Sequence, residues 1–307
     1  MLGLDEIEQE VLKTVANIDG IPEGAYNFRL NGQSIGRKSS ENIDVKPKTD
    51  KSGLEIYISK NAQNEAVHIP VIISKSGLEE AVYNDFFIED GAIVTIIAGC
   101  GIYNCGTKNS THNGIHTFHV GKNCQVKYIE KHYGAGAGSG KILNPTTKLH
   151  LKENSIAHLE LEQIKGVDST IRTTSAKLSK NAKLTVKERL MTHGRQTAES
   201  SYDIQLNGEE STAELASRSI AQDYSTQTFK STITATKKSR GYSACDAIIM
   251  DHAKVLALPA LNAETKDAEL IHEAAIGKLA SDQITKLMTL GLTRNQAESH
   301  IINGFLK

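Results

Sequence analysis

Residues 153–184 read ENSIAHLELEQIKGVDSTIRTTSAKLSKNAKL, and both ends of this stretch carry the same device. At Glu153-Asn154-Ser155-Ile156-Ala157, and again at Lys180-Asn181-Ala182-Lys183-Leu184, a polar turn leads through one small residue into alternating apolar and polar positions. The device also stands at Glu89-Asp90-Gly91-Ala92-Ile93-Val94 and at Lys122-Asn123-Cys124-Gln125-Val126. It returns at Glu209-Glu210-Ser211-Thr212-Ala213 and at Lys266-Asp267-Ala268-Glu269-Leu270. The small residue falls at 92, 124, 155, 182, 211 and 268, in steps of 32, 31, 27, 29 and 57, the last about twice the others. Alternation with period 2 marks strands whose two faces differ. A repeat near 30 residues with no helical period inside it predicts a β-helix or solenoid. A β-sandwich, which needs no fixed repeat, is the runner-up.

Outward from this core the period changes. Leu4, Ile7, Val11, Leu12, Val15 and Ile18 form one stripe of a helix over 4–18, ended by Gly20 and Pro22. From Tyr26 to Val67 only short strands and polar turns are legible; clearer strands follow at 68–73 and 92–98. Near the C-terminus, Ser281 caps a helix bearing Ile284, Leu287 and Met288, stopped at Gly291. Thr293-Arg294-Asn295-Gln296 is a capping box opening a second helix, with Ala297, Ile301 and Phe305 along one stripe. Two short helices bury little alone. They either dock on the end of the solenoid or offer Leu287, Ile301 and Phe305 to a partner. The expected division is an N-terminal helix at 1–20, a β core at 21–276 and a helical segment at 277–307.

The 307 residues carry 35 Lys and Arg against 36 Asp and Glu, so charge gives no pull toward nucleic acid or an anionic membrane. No apolar run reaches the length of a membrane span, and MLGLDEIEQEVLK is acidic where a signal peptide is basic. Four Cys in a chain of this length make no disulfide scaffold, which points to a reducing cytoplasm.

Three stretches carry candidate chemistry. GAGAGSGK at 134–141 imitates a phosphate loop, but Ala135 stands where the first Gly belongs and Ile142 where Ser or Thr belongs. The strand-like KILNPTTKLHL that follows offers no helix N-terminus, so no ATPase site is expected. The segment from Cys100 to Cys124 gathers Cys100, Cys105, Cys124, His116 and His119, all soft or borderline metal donors. On a strand, however, His116 and His119 face opposite sides, and Cys124 occupies the small-residue slot of the repeat, as a packed thiol would. The third stretch is GYSACDAIIMDHAKVLALPALNAETKDAELIHEAAIGK at 241–278. There Cys245 precedes His272 and Glu273 by nearly one repeat, which stacks the three on neighbouring rungs as candidate iron or zinc donors. No G-x-S-x-G elbow occurs and no paired carboxylates stand out, leaving a β-helical carbohydrate-active enzyme or a purely structural solenoid as the other readings.

Cys245-Asp246, Pro259, Ile271-His272-Glu273-Ala274-Ala275-Ile276-Gly277-Lys278, Asp282-Gln283 and Ile302-Asn303-Gly304-Phe305 together resemble the C-terminal signature of the SufB/SufD family of iron–sulfur cluster assembly proteins. The likeness is specific over about 198–305 and looser from Val67, through Gly114-Ile115-His116 and Glu130-Lys131-His132-Tyr133-Gly134. The resemblance implies a right-handed parallel β-helix flanked by helices. It implies a scaffold, not an enzyme, that pairs through its β-helix and binds a SufC-type ABC ATPase through its C-terminal helices. Such a scaffold holds a transient iron–sulfur cluster, receives sulfur from a cysteine desulfurase or other donor, and passes the cluster to apo-proteins. By position, Cys245 matches the SufB scaffold cysteine, Glu273 its acidic partner and His272 the SufD interface histidine. Ile271 stands where SufB has a further acidic residue, and one chain carries features of both relatives, which fits a homodimeric form.

Overall fold

In residues 183–192, KLTVKERLMT, every second side chain from Leu184 to Thr192 is buried and those between face outward. That alternation, repeated through most of the chain, is what lets strands stack into walls around one interior. The computed structural model describes residues 3–18, 20–279 and 281–306. The chain begins with helix α1 (Glu6–Ala16) and two antiparallel hairpins, β1 (Ala25–Leu30) with β2 (Gln33–Lys38), and β3 (Ile43–Pro47) with β4 (Gly53–Ile58). Next come β5 (Gln63–His68), β6 (Val71–Ile73), β7 (Glu79–Ile88), β8 (Ile93–Tyr103), β9 (Ser110–Val120) and β10 (Gln125–Ala135). The winding continues through β11 (Lys141–Leu143), β12 (Thr146–Leu151), β13 (Ile156–Lys165), β14 (Ser169–Leu178), β15 (Lys183–Thr192) and β16 (Thr197–Leu206). It ends with β17 (Ser211–Ala221), β18 (Thr226–Ala235), β19 (Ser239–Ile249), β20 (Lys254–Ala263) and β21 (Glu269–Lys278), then α2 (Ser281–Thr289) and α3 (Arg294–Phe305).

Successive strands pass between two facing sheets, one ending in β17-β19-β21 and the other in β16-β18-β20. Apart from the two hairpins, the ladders among the described residues are parallel, which makes a β-solenoid of about eight turns. The corner residue before the first five small residues sits at positive φ: Gly91 at 84°, Asn123 at 57°, Asn154 at 58°, Asn181 at 56° and Glu210 at 57°. Asn and Gly tolerate that conformation best, which explains why turn residues mark the repeat. The small residue that follows is tucked inside the corner: Ala92, Cys124, Ser155 and Ala182 are fully buried and Ser211 nearly so. The double step at the end of the repeat conceals Ser239, which is buried and pairs with Ser211 one rung below.

The helix expected at 4–18 is α1, capped by an Asp5–Glu8 box. It buries Val11, Leu12 and Val15 against the outer face of β8, contributing about 1.5–3 kcal/mol per side chain. The approach is close enough that a Cβ on Gly99 would lie 2.3 Å from the Val15 carbonyl oxygen, and one on Gly101 2.1 Å from Val11 Cγ1. The strand expected over 68–73 is broken, with β5 ending at His68 and β6 beginning at Val71, because Pro70 has no N–H to give the ladder. Residues 26–58 fold into the two hairpins, whose weak alternation reflects half-exposed positions.

At the far end the pattern of burial fails. β20 and β21 are the edge strands of their sheets, and Leu256, Leu258, Leu261, Ile271 and Ile276 are between 39% and 51% exposed. α3 is opened by the expected Thr293–Gln296 capping box, whereas the Ser281 side chain lies outside the described residues. Among the described residues, α2 and α3 have substantial contact with each other and with no strand. Met288 and Leu290 are exposed, and Leu287, Ile301 and Phe305 are half-buried.

Candidate functional site

Cys245 lies on the inner face of β19, 1% exposed, beneath the terminal rung. Burial pushes its thiol up to about 12, with the carboxylates of Glu188 and Asp246 adding to the shift. It therefore stays protonated until a cation displaces the proton. The sequence spacing stacks Cys245 on His272 and Glu273, but the β19–β21 register pairs Cys245 with Ala274, Ser243 with His272 and Ala244 with Glu273. His272 follows Ser243 onto the inner face, as a diagonal neighbour of Cys245, roughly 8 Å away at Cα from strand spacing and rise. Both its ring nitrogens are buried without a hydrogen-bond partner, a condition that costs about 1–3 kcal/mol in a buried polar group. Glu273 is directed the other way. Its Oε2 accepts a 2.8 Å hydrogen bond from the Tyr242 hydroxyl on the outer surface. One subunit thus brings Cys245 and His272 to the inside of the open end and holds Glu273 on its outer rim.

The second group of donors is dispersed. Cys124 is packed in its corner, donating to the Glu89 carbonyl at 3.0 Å. His119 faces outward, stacked on Phe87 at 4.9 Å and on His150 at 5.6 Å between ring centroids. Cys105 is exposed in the loop after β8, and the Tyr103 hydroxyl, followed by the backbone at Ala137 and Gly138, holds its thiol below the usual range. Cys100 and His116 do point inward, toward one small cavity. The glycine-rich run at 134–141 packs its Gly136 and Gly138 against the backbone of Asn104 and Gly106 and leads into β11, not a helix.

A buried polar column, which the sequence reading did not find, runs inside the solenoid between these groups. The Tyr128 hydroxyl donates to Glu130, which also pairs with Arg172, and Arg172 Nε lies 3.6 Å from Glu188 Oε1. Ser200 and Ser217 both donate to Glu188, and Ser217 pairs in register with Cys245. Burial alone would raise Glu130, but the Arg172 charge and then His132 outweigh it and hold the carboxyl well below its ordinary range. The only sequence signal was polar residues at inward positions of alternating strands, legible once the register is known.

The fold and site define a β-solenoid that keeps a neutral thiol and an unpartnered imidazole beneath an open terminal rung. The family model for the SUF system FeS cluster assembly SufBD core domain matches residues 73–305. The chain is 23% identical over 318 residues to an iron–sulfur cluster assembly SufBD family protein of Methanocaldococcus jannaschii, covering 99% of each chain. A Pyrococcus horikoshii protein of the same description is 24% identical over 97% of this chain and 94% of its own. One from Archaeoglobus fulgidus is 27% identical over 82% of this chain and 68% of its own. The chain belongs to the SufBD family, and a role in iron–sulfur cluster assembly follows from that membership.

Proposed function

We propose that this chain is a scaffold on which an iron–sulfur cluster is assembled at the open end of the solenoid, in a homodimer closed over that end. The observation that carries the reading is the terminal rung. It presents two free strand edges, five exposed aliphatic side chains and the unpartnered His272, diagonal to Cys245 on the next rung. A lone chain leaves backbone donors and apolar area open there, and a second copy related by a two-fold axis would cover both. β21 is the last strand of its sheet, so His272 from inside and Glu273 from outside reach the same seam. Two copies double the supply of Cys245, His272 and Glu273, enough for a cluster that one chain cannot ligate alone. Glu273 is a hard, weak partner for such iron, which suits a product that must be released.

The chain acts as a scaffold and not as an enzyme, in the cytoplasm, with ATP hydrolysis supplied by a SufC-type ABC ATPase docked on α2 and α3. Their poor attachment to the solenoid and the apolar side chains Leu287, Ile301 and Phe305 support that docking. ATP-driven movement would open the seam and expose Cys245. Sulfur comes from a cysteine desulfurase or its carrier, and apo iron–sulfur proteins take the product. Anaerobic reconstitution with iron and sulfide tests the reading. The dimer is expected to retain both through desalting, and a protein that retains neither contradicts it.

A further inference from the structure

The interior cavity near the other end of the solenoid has a construction of its own. It measures about 20 Å³, room for one water-sized atom, and Cys100, His112, Gly114, His116 and His132 border it. β9 reads His112-Asn113-Gly114-Ile115-His116, so the two imidazoles and the glycine share the inward face. A Cβ built on Gly114 would lie 3.2 Å from His112 Nε2 and 3.3 Å from His116 Nε2. Both Nε2 atoms therefore border the one position that the glycine leaves empty.

Their protonation follows from the groups behind them. His112 Nδ1 lies 2.9 Å from Glu80 Oε1, and a carboxylate only accepts, so Nδ1 carries a proton and Nε2 is the nitrogen left to a metal. On the other side, the Tyr128 hydroxyl spends its single proton on Glu130 at 3.1 Å. His116 Nδ1, 3.2 Å from the same hydroxyl, must then donate to the phenol oxygen, which again leaves Nε2 as a lone pair. Two imidazoles, each oriented from behind by a carboxylate or a carboxylate-bound phenol, have the supporting hydrogen bonds that histidine ligands of metals have.

We propose that His112 and His116 anchor one divalent first-row transition-metal ion, of the iron(II) or zinc(II) class, in the gap at Gly114, with Cys100 as third donor. Among the described residues no three donors stand already gathered around one point. The pair is preset, and Cys100, which borders the same cavity from the facing sheet, supplies the third donor as the metal enters. Binding exchanges the thiol proton for the metal–sulfur bond and releases that proton to solvent. Nitrogen and sulfur donors select these ions over magnesium or calcium. The site rests on the cavity and not on the cluster assignment at Cys245.

Metal-free full-length protein is titrated anaerobically with cobalt(II), read by its ligand-field bands and thiolate charge-transfer band, and with zinc(II) by calorimetry. One ion per chain is expected in the cavity, unchanged in Cys105→Ser, whose thiol is exposed and outside both sites. Gly114→Ala keeps every donor but fills the gap, and should weaken binding at least tenfold, as should His116→Gln. Cys100→Ser should keep the ligand-field bands and lose the charge-transfer band. No stoichiometric binding by the wild type, or wild-type affinity in a folded Gly114→Ala, overturns the site. Loss of binding in Cys245→Ser with retention in Gly114→Ala would move the metal to the other end of the solenoid and overturn it equally.

Discussion

Cys105 and Cys245 are opposite thiols. The first is exposed and shifted toward thiolate by the Tyr103 hydroxyl and the backbone at Ala137 and Gly138, the second buried and pushed up to about 12. A disulfide reagent at neutral pH should therefore modify Cys105 within the first phase, with Cys245 reacting only on unfolding; mass mapping that finds Cys245 modified first would contradict this. His116 gives a second residue-scale expectation. Burial lowers it from an ordinary 6.5 to about 4, so between those values the unfolded chain binds a proton that the folded chain refuses. Stability present above pH 6.5 is lost as pH falls toward 4, by at most about 1.4 kcal/mol per pH unit. Metal-free His116→Gln should lose less urea stability than wild type between pH 6.5 and 4.5; an equal loss would mean His116 carries no part of that slope. The sequence disclosed the corner residues because each needs a special φ and a small neighbour, both visible in residue type. It offers Cys100 and His116 as candidate donors, but not His112 or the gap at Gly114, because which of the segment's histidines share a face with Cys100 shows only once the facing sheet is placed.

At the scale of elements, α2 and α3 were legible from capping and period, while their place in the molecule was not, because two short amphipathic helices fit either a dock or a partner. Among the described residues they have no substantial contact with any strand, which favours the partner. Deleting 281–307 should abolish binding of the SufC-type ATPase and leave the β-sheet circular dichroism unchanged; undiminished binding would place the docking surface elsewhere. The strand at 68–73 reads as one piece in sequence because the apolar run continues through Pro70, whereas the ladder does not. The spacing between Cys245 and His272 was read to within two residues of the true register. On a strand even one residue decides the face, which is why Glu273 emerges on the outside.

For the whole molecule, the repeat alone carried the solenoid, because parallel stacking demands a fixed period and buried alternation. Assembly was less legible, since exposed aliphatics of the terminal rung look the same as core aliphatics in sequence. Sedimentation at micromolar concentration should give a dimer, and Leu258→Glu, which places a charge among the exposed side chains of β20, should give a monomer; a wild-type monomer would leave the open end without its cover. Whether the cluster forms at Cys245 is decided by anaerobic reconstitution followed by Mössbauer spectroscopy on wild type and on four single variants. Cys245→Ser should lose the cluster, whereas Cys100→Ser, Cys105→Ser and Cys124→Ser should each retain it. A Cys245→Ser protein that assembles a cluster as well as wild type, while one of the other three fails, would contradict the account.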